Sequence, residues 1–423
     1  MYRFIVISVL LTTASSTVLG NFNVLHKTYD VKTVQQNYET FLETVPDSLK
    51  EDAHLLVPEL IQKYGYPCER HTVISKDGYI LELHRIPYGK DGPSENRPAV
   101  FVQHGLLSSS ADWVIPGPEK GLPHVLVDHG YDVWLANARG NRYSRKHVTL
   151  HPRKDAKKFW NFSWHEIALD DVPTGVDYVR NITNQDKIFY IGHSQGTTVS
   201  YVMLSRMAAY NDKFRAVFTL APSAYAKRAF SPLVRIISKF EKSLGFIANV
   251  IGLHEFAPRT EFVAQVGPIL CGEESPLQIL CINSLFAVCG FNYKQINTTL
   301  LPVFLGHTPA GAATKQLLHY AQLFNSGKFR EWDYGMLGNL RHYGRLTPPD
   351  YVLKNVKAPL YIYYSGNDWL SNVQDVEQLA SEVGNLQGKF MVLDKKFNHL
   401  DYVMGIDAPN LVYKRIISLM GRH

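Results

Sequence analysis

Gly192, His193, Ser194, Gln195 and Gly196 carry the strongest chemical signal in the chain. They follow the buried-strand run Ile188 to Ile191 and precede a helical pattern, the setting of a G-x-S-x-G nucleophile elbow. In such a turn a serine is thrust forward at a strained strand-to-helix junction. Glycines flank it because side chains there would strike neighbouring backbone. The chemistry would be attack of a hydroxyl on a carbonyl carbon. Serine is a poor nucleophile unaided, so a histidine base and a carboxylate to orient it must follow in the order serine, acid, histidine.

The strand-like run Leu360 to Tyr364 leads into Ser365-Gly366-Asn367-Asp368-Trp369, and the single carboxylate of that turn makes Asp368 the candidate acid. Beyond it, the only histidine besides the C-terminal His423 is in Phe397-Asn398-His399-Leu400-Asp401, so His399 is the candidate base. Asp394 and Asp401 compete for the acid role, although Asp401 lies too near the histidine to arrive from a separate strand. Asp368 also fits the cap of a helix beginning near Asn372. Acyl transfer further needs N–H donors where charge develops on the carbonyl oxygen. The amide of Gln195, after the nucleophile, and that of Leu106, in the loop Gln103-His104-Gly105-Leu106-Leu107, are the candidates. His104 reads as a brace for that loop rather than a second base.

Other clusters are weaker. Adjacent Asp170 and Asp171 would point about 100° apart on a helix and read as solvated or capping. His147 and His151 are spaced four apart, but Pro152 follows and no H-E-x-x-H glutamate is present. With no phosphate loop and no dinucleotide fingerprint, neither a metal nor an organic cofactor is expected.

The elements that must position these residues alternate. His71 to Ile74 and Tyr79 to Ile86 read as a hairpin around Lys76-Asp77-Gly78. Short apolar runs of the buried-strand type follow at Ala99 to Gln103, Asp132 to Ala136, Lys187 to Gly192 and Ala216 to Ala221. Helical patterns at Phe162 to Val179 and Thr197 to Ala209 lie between them. Such alternation predicts an α/β fold with a mostly parallel sheet covered on both faces. Residues 222–357 break the rhythm and read as an inserted helical subdomain without strand signals. Its apolar stripe runs from Leu233 through Ile236, Ile237, Phe240, Leu244 and Ile247 to Ile251. Strand signals return at Leu360 to Tyr364 and Phe390 to Leu393.

At roughly 150 residues per domain, 423 residues allow about three domains or one enlarged by insertion. Apolar content of 45% with 19% charged residues argues against wholesale disorder and against a multi-span membrane protein. The net charge of +6 comes without a dense basic run, so no nucleic-acid footprint is expected. Residues 1–20 have the layout of a secretory signal peptide, with an apolar run too short to span a bilayer. The expected organisation is therefore a leader (1–20), an N-terminal segment (21–69), a catalytic domain (70–221 and 358–423) and a cap (222–357). Of four cysteines, Cys271 and Cys281 enclose a short loop whose bridging would contribute on the order of 2 to 3 kcal/mol. Buried free thiols at Cys281 and Cys289 are the alternative. Sequons at Asn161, Asn181 and Asn297 agree with secretion.

Seven ordered segments resemble the acid lipases, the family of gastric lipase, lysosomal acid lipase and their insect relatives. They are His104-Gly-Leu-Leu, Asn137-Ala-Arg-Gly-Asn, Ser144-Arg-Lys-His147, Gly192-His-Ser-Gln-Gly196, His307-Thr-Pro-Ala-Gly311, Gly366-Asn-Asp-Trp369 and Phe397-Asn-His-Leu-Asp-Tyr402. The resemblance implies an α/β-hydrolase with a helical cap and lid, acting on triacylglycerols or sterol esters, secreted or lysosomal. Carried over by residue, it implies Ser194, Asp368 and His399 as the triad and Leu106 and Gln195 as oxyanion donors. It also implies Cys271 and Cys281 as a cap disulfide. An esterase for small soluble esters, and a lipid-binding protein that has lost the chemistry, are the competing expectations.

Overall fold

β-Branched and aromatic residues fill short runs that are buried at every position in Ala99–Gln103, Asp132–Ala136, Ile188–His193 and Leu360–Tyr364. A strand buried throughout must be covered on both faces, and helices supply the cover. The computed structural model describes residues 46–256 and 288–423. The expected leader, most of the N-terminal segment and the Cys271 to Cys281 loop lie outside the described residues.

The strands are β1 (Glu69–Ile74), β2 (Tyr79–Ile86), β3 (Ala99–Gln103), β4 (Asp132–Ala136), β5 (Lys146–His147), β6 (Ile188–His193), β7 (Phe214–Leu220), β8 (Glu255–Phe256), β9 (Ala312–Ala313), β10 (Leu360–Tyr364) and β11 (Leu386–Met391). The main sheet runs β1-β2-β4-β3-β6-β7-β10-β11, with β5 attached to β2. The β1–β2 and β2–β4 pairs are antiparallel, and every pair from β4 to β11 is parallel. The fold is thus the expected mostly parallel sheet.

Among the helices are α1 (Asp47–His54), α2 (Val57–Lys63), α3 (Val172–Thr183), α4 (Gln195–Arg206), α5 (Pro232–Lys239), α6 (Glu241–Val250), α7 (Leu301–His307), α8 (Thr314–Ser326), α9 (Met336–Tyr343), α10 (Val373–Glu382) and α11 (Lys414–Met420). Alternating strand residues divide the core in two. Phe101, Tyr190 and Ile362 pack with Val176 of α3, Val199 of α4 and Val376 of α10. Val102, Ile191 and Tyr363 pack on the other face with Leu60 of α2, Phe304 of α7 and Ile416 of α11.

Several expectations are corrected. The helical run after Phe162 is capped by Ser163 and Glu166 and carries a π-turn at Ile167–Asp171 just before Pro173, whose missing N–H removes one rung of the regular ladder. The stripe from Leu233 to Ile251 is not one helix face: the chain breaks at Phe240 between α5 and α6, and Phe240, Ile247 and Ile251 are exposed. Residues 222–357 are not free of strand, because β8 and β9 form a short antiparallel pair. The last strand is Leu386–Met391 rather than Phe390 to Leu393, and Leu393 is 85% exposed. Neither Asp170 nor Asp171 is solvated. Asp171 holds buried Arg139 at 2.6 Å, and Asp170 accepts from the Lys76 and Asp77 amides of the hairpin turn.

Candidate active site

Because β6 ends at His193 and α4 begins at Gln195, Ser194 alone makes the reversal, at φ +52° and ψ −117°. A non-glycine residue there is strained and persists only where its surroundings over-determine it. The Ser194 amide donates to the Leu220 carbonyl at 3.0 Å, and its carbonyl accepts from the Thr197 amide at 2.8 Å and the Thr197 hydroxyl at 2.6 Å. The flanking glycines are required by contact. A Cβ on Gly192 would lie 2.6 Å from the Gly196 carbonyl oxygen, and one on Gly196 would lie 2.3 Å from the Gln103 oxygen at the end of β3.

The turn after β10 and the loop after β11 converge on this serine. His399 Nε2 lies 2.7 Å from Ser194 Oγ, and His399 Nδ1 lies 2.8 and 3.0 Å from the two oxygens of Asp368. A carboxylate only accepts, so Nδ1 carries the ring proton and Nε2 is left to accept from the hydroxyl. Asp368 Oδ1 also accepts from the Leu370 and Ser371 amides at 2.9 and 2.8 Å, which fixes the carboxylate. Both side chains are buried. Behind the His399 ring, His193 Nε2 lies 2.8 Å from the His399 carbonyl oxygen; burial pushes the His193 imidazole down to about 3, so it is neutral and donates there.

Leu106 sits in the loop after β3. His104 Nε2 accepts from the Ala138 amide at 3.1 Å, so its Nδ1 donates to the Gly105 carbonyl at 2.7 Å. Burial pushes this imidazole down to about 4, which keeps it neutral, and the two hydrogen bonds hold it in that tautomer. In a trans peptide the carbonyl and the next N–H point opposite ways. Drawing the Gly105 carbonyl onto His104 therefore turns the Leu106 N–H away from the ring. Among the described residues neither the Leu106 nor the Gln195 amide has a protein acceptor, and Gln195, as the first residue of α4, has none within the helix. Across from the elbow, Gln316 of α8 donates to Gln195 Oε1 at 3.1 Å and accepts from the Ala313 amide at 2.8 Å.

The geometry agrees with what the sequence matches. A family model described as "alpha/beta hydrolase fold" matches residues 98–405, and one described as "Partial alpha/beta-hydrolase lipase region" matches residues 57–117. "Lipase 3" of Drosophila melanogaster is 45% identical over 86% of this chain and 92% of its own. "Gastric triacylglycerol lipase" of Rattus norvegicus is 40% identical over 87% and 92%. "Lysosomal acid lipase/cholesteryl ester hydrolase" of Homo sapiens is 36% identical over 88% and 92%. The chain belongs to the gastric and lysosomal acid lipase family of alpha/beta hydrolases.

The remaining predicted residues of this lipase chain lie as follows. Neither alternative acid hydrogen-bonds the His399 ring: Asp394 accepts from the Lys396 amide at 2.9 Å, and Asp401 from the Asn398 amide at 2.8 Å. His147 contacts the Asp77 carbonyl, and among the described residues no group of three or more metal-binding side chains forms. No described helix is long and apolar enough to cross a membrane. Asn161, Asn181 and Asn297 are exposed. Cys68 is half-buried and Cys289 buried, both as free thiols. The support from His193 and Gln316 was missed. His193 lay within the elbow motif and so had a signal, whereas Gln316 had none.

Proposed function

We propose that this enzyme hydrolyses carboxylic esters of long-chain fatty acids, triacylglycerols or sterol esters, through an acyl-enzyme on Ser194, as a secreted or lysosomal lipase. His399 Nε2 takes the hydroxyl proton as Ser194 Oγ bonds to the ester carbonyl carbon. Asp368 holds the imidazole in the required tautomer and stabilises the imidazolium. The amides of Leu106 and Gln195 receive the oxyanion. Collapse breaks the bond to the alcohol, which leaves with the proton held by His399. Water, deprotonated by the same histidine, then releases the fatty acid and restores the serine.

The observation that carries this reading is the single imidazole bridging Ser194 and Asp368 at 2.7 and 2.8 Å. The relatives named above, two of them named for triacylglycerol and cholesteryl ester hydrolysis, support the substrate class. Exposed apolar side chains between residues 222 and 357, among them Met336 at 70%, Leu337 at 74% and Val250 at 67%, suit contact with a lipid phase. The signal-peptide layout and the three exposed sequons support the destination. We further propose 222–357 as the cap over a catalytic unit of 70–221 and 358–423, with Cys271 bridged to Cys281. The test is hydrolysis of triolein, cholesteryl oleate and a short-chain ester from pH 4 to 8 by the wild-type and Ser194→Ala proteins. The variant is expected to lose turnover on all three, and unchanged turnover would overturn the mechanism. Wild-type activity confined to the short ester would overturn the substrate class.

A further inference from the structure

His399 and Asp368 stand on separate loops, and a short segment of the inserted region, Cys289 to Gln295, ties the two together. The Cys289 carbonyl accepts from both the His399 and the Trp369 amides, each at 3.3 Å. The Phe291 carbonyl accepts from Asn367 Nδ2 at 2.9 Å, one residue before the acid, and the Gly290 carbonyl accepts from Asn398 Nδ2 at 3.0 Å, one residue before the base. The segment lies so close that a Cβ on Gly290, which has φ +108°, would stand 2.1 Å from the Asn367 carbonyl oxygen.

The fastening on the histidine side is polar and buried. Asn292 Nδ2 donates to Asp401 Oδ2 at 2.8 Å, and the same oxygen accepts from the Asn398 amide at 2.8 Å. Asn398 Oδ1 in turn accepts from the Leu400 and Asp401 amides at 2.8 and 3.1 Å, closing a tight loop around His399. Asn292, Asn398, His399 and Asp401 are each at most 3% exposed. Among the described residues Asp401 has no cationic partner, so its place in the core depends on these two donors. Gln295 completes the fastening: its side chain donates to Asp394 and Asp407 at 3.2 and 3.0 Å, and it accepts from the Asp407 amide at 2.9 Å.

We propose that Asn292 is a positioning residue, which through Asp401 and the Asn398 loop holds the His399 imidazole in line between Ser194 and Asp368. The inference rests on the serine mechanism proposed above. Asn292 touches neither substrate nor the reacting atoms; it acts by fixing the backbone that carries the base. Because the oxygens it secures are buried, losing its N–H leaves Asp401 short of a donor, and the histidine loop must move to recover one. A displacement of the base by an ångström or less lowers the chemical step without altering how the ester binds.

The experiment compares Asn292→Ala, Asp401→Ala and Asp401→Asn with the wild type and with Ser194→Ala in the full-length protein. A short soluble ester is the substrate, an organophosphate labels Ser194, and thermal melting reports folding. Asn292→Ala and Asp401→Ala are expected to lower kcat and the labelling rate by about ten- to a hundredfold with KM changed by no more than about twofold. Asp401→Asn keeps an acceptor oxygen for both donors and is expected to recover most of what Asp401→Ala loses. Wild-type kcat in Asn292→Ala, or an Asp401→Asn protein as impaired as Asp401→Ala, would overturn the proposal. Should Asn292→Ala fail to fold, the comparison between the two Asp401 variants decides the question from the other side of the bond. A fully active Asn292→Ala beside a dead Ser194→Ala removes only this inference, whereas an active Ser194→Ala removes the serine reading as well.

Discussion

Replacing Asp368 by Asn is the sharpest test of the acid, because the hydrogen-bond pattern dictates how the amide must sit. Asp368 Oδ1 takes the Leu370 and Ser371 amides at 2.9 and 2.8 Å and His399 Nδ1 at 3.0 Å, while Oδ2 takes only Nδ1 at 2.8 Å. An amide oxygen must occupy the Oδ1 position, since an NH2 group there would face two N–H donors. The NH2 then stands at the Oδ2 position and donates to Nδ1, which can accept only without its proton. The ring proton moves to Nε2, where it faces Ser194 Oγ and fills the site that should accept the hydroxyl proton. A serine triad held in the wrong tautomer loses on the order of 10⁴ in kcat, about 5 kcal/mol of transition-state stabilisation. The two backbone bonds survive, so the melting temperature should hardly move. The assay is kcat on triolein and on p-nitrophenyl butyrate, with thermal melting alongside. A folded Asp368→Asn enzyme within about tenfold of wild-type kcat would refute the assignment, and a large loss appearing instead in Asp394→Asn would move the acid there.

Two further outcomes follow from the packing. Gly196→Ala should destabilise the protein by about 3 kcal/mol or more and lower kcat, because its Cβ would press on the Gln103 backbone oxygen at 2.3 Å, whereas Gly366→Ala, beside the acid with nothing within 4 Å, should leave both unchanged; equal melting temperatures for the two variants would refute the contact argument. Asp112 is buried, its carboxylate has only the Ser108 and Thr308 hydroxyls as partners among the described residues, and burial pushes it up to about 6. The folded state therefore holds this proton after the unfolded chain has released it near 4, so the carboxyl's contribution to stability falls as pH rises from about 4 to 6. Asp112→Asn removes that loss, and its stability relative to wild type should grow by up to about 3 kcal/mol between pH 4 and pH 8. Denaturant unfolding at the two pH values measures it, and a difference independent of pH would refute it.

What the sequence makes legible follows from how locally each feature is determined. Ser194 is readable because a strained turn between a buried strand and a helix tolerates only small flanks, and those flanks are written beside it as Gly192 and Gly196. Strands β3, β4 and β10 fall on their expected residues because each holds a continuous run of mostly apolar residues and is buried at every position. At the edge of the sheet this signal fades. Strand β11 is half-exposed along its length, so the apolar run ending at the exposed Leu393 misplaced it. Periodicity also failed between α5 and α6, where the stripe continues in sequence past the break in the chain at Phe240. Asp170 and Asp171 look like a solvated or capping pair in sequence. Their partners, the hairpin turn and Arg139, are distant in the chain, and no local pattern announces them. Gln316 and Asn292 belong to the same class.

The division between legible and illegible residues has a topological origin. The chain leaves β3 for β4 on one side of the sheet and returns to β6 on the other, so the loops after β3 and β6 diverge at the point where the strand order reverses. Such reversals open a crevice at the carboxyl ends of parallel strands. Leu106 follows β3 and Ser194 follows β6 at this reversal, and Asp368 follows β10, two strands from β6 in the same parallel set. These residues are placed by strand ends, which periodicity and glycine punctuation reveal. The loops themselves have no ladder to hold them, and part of their fastening comes from residues 222–357, through Gln316 on the elbow and Cys289 to Gln295 on the loops of Asp368 and His399. Substitutions in that region which leave the substrate-facing surface intact should therefore appear in kcat before they appear in KM.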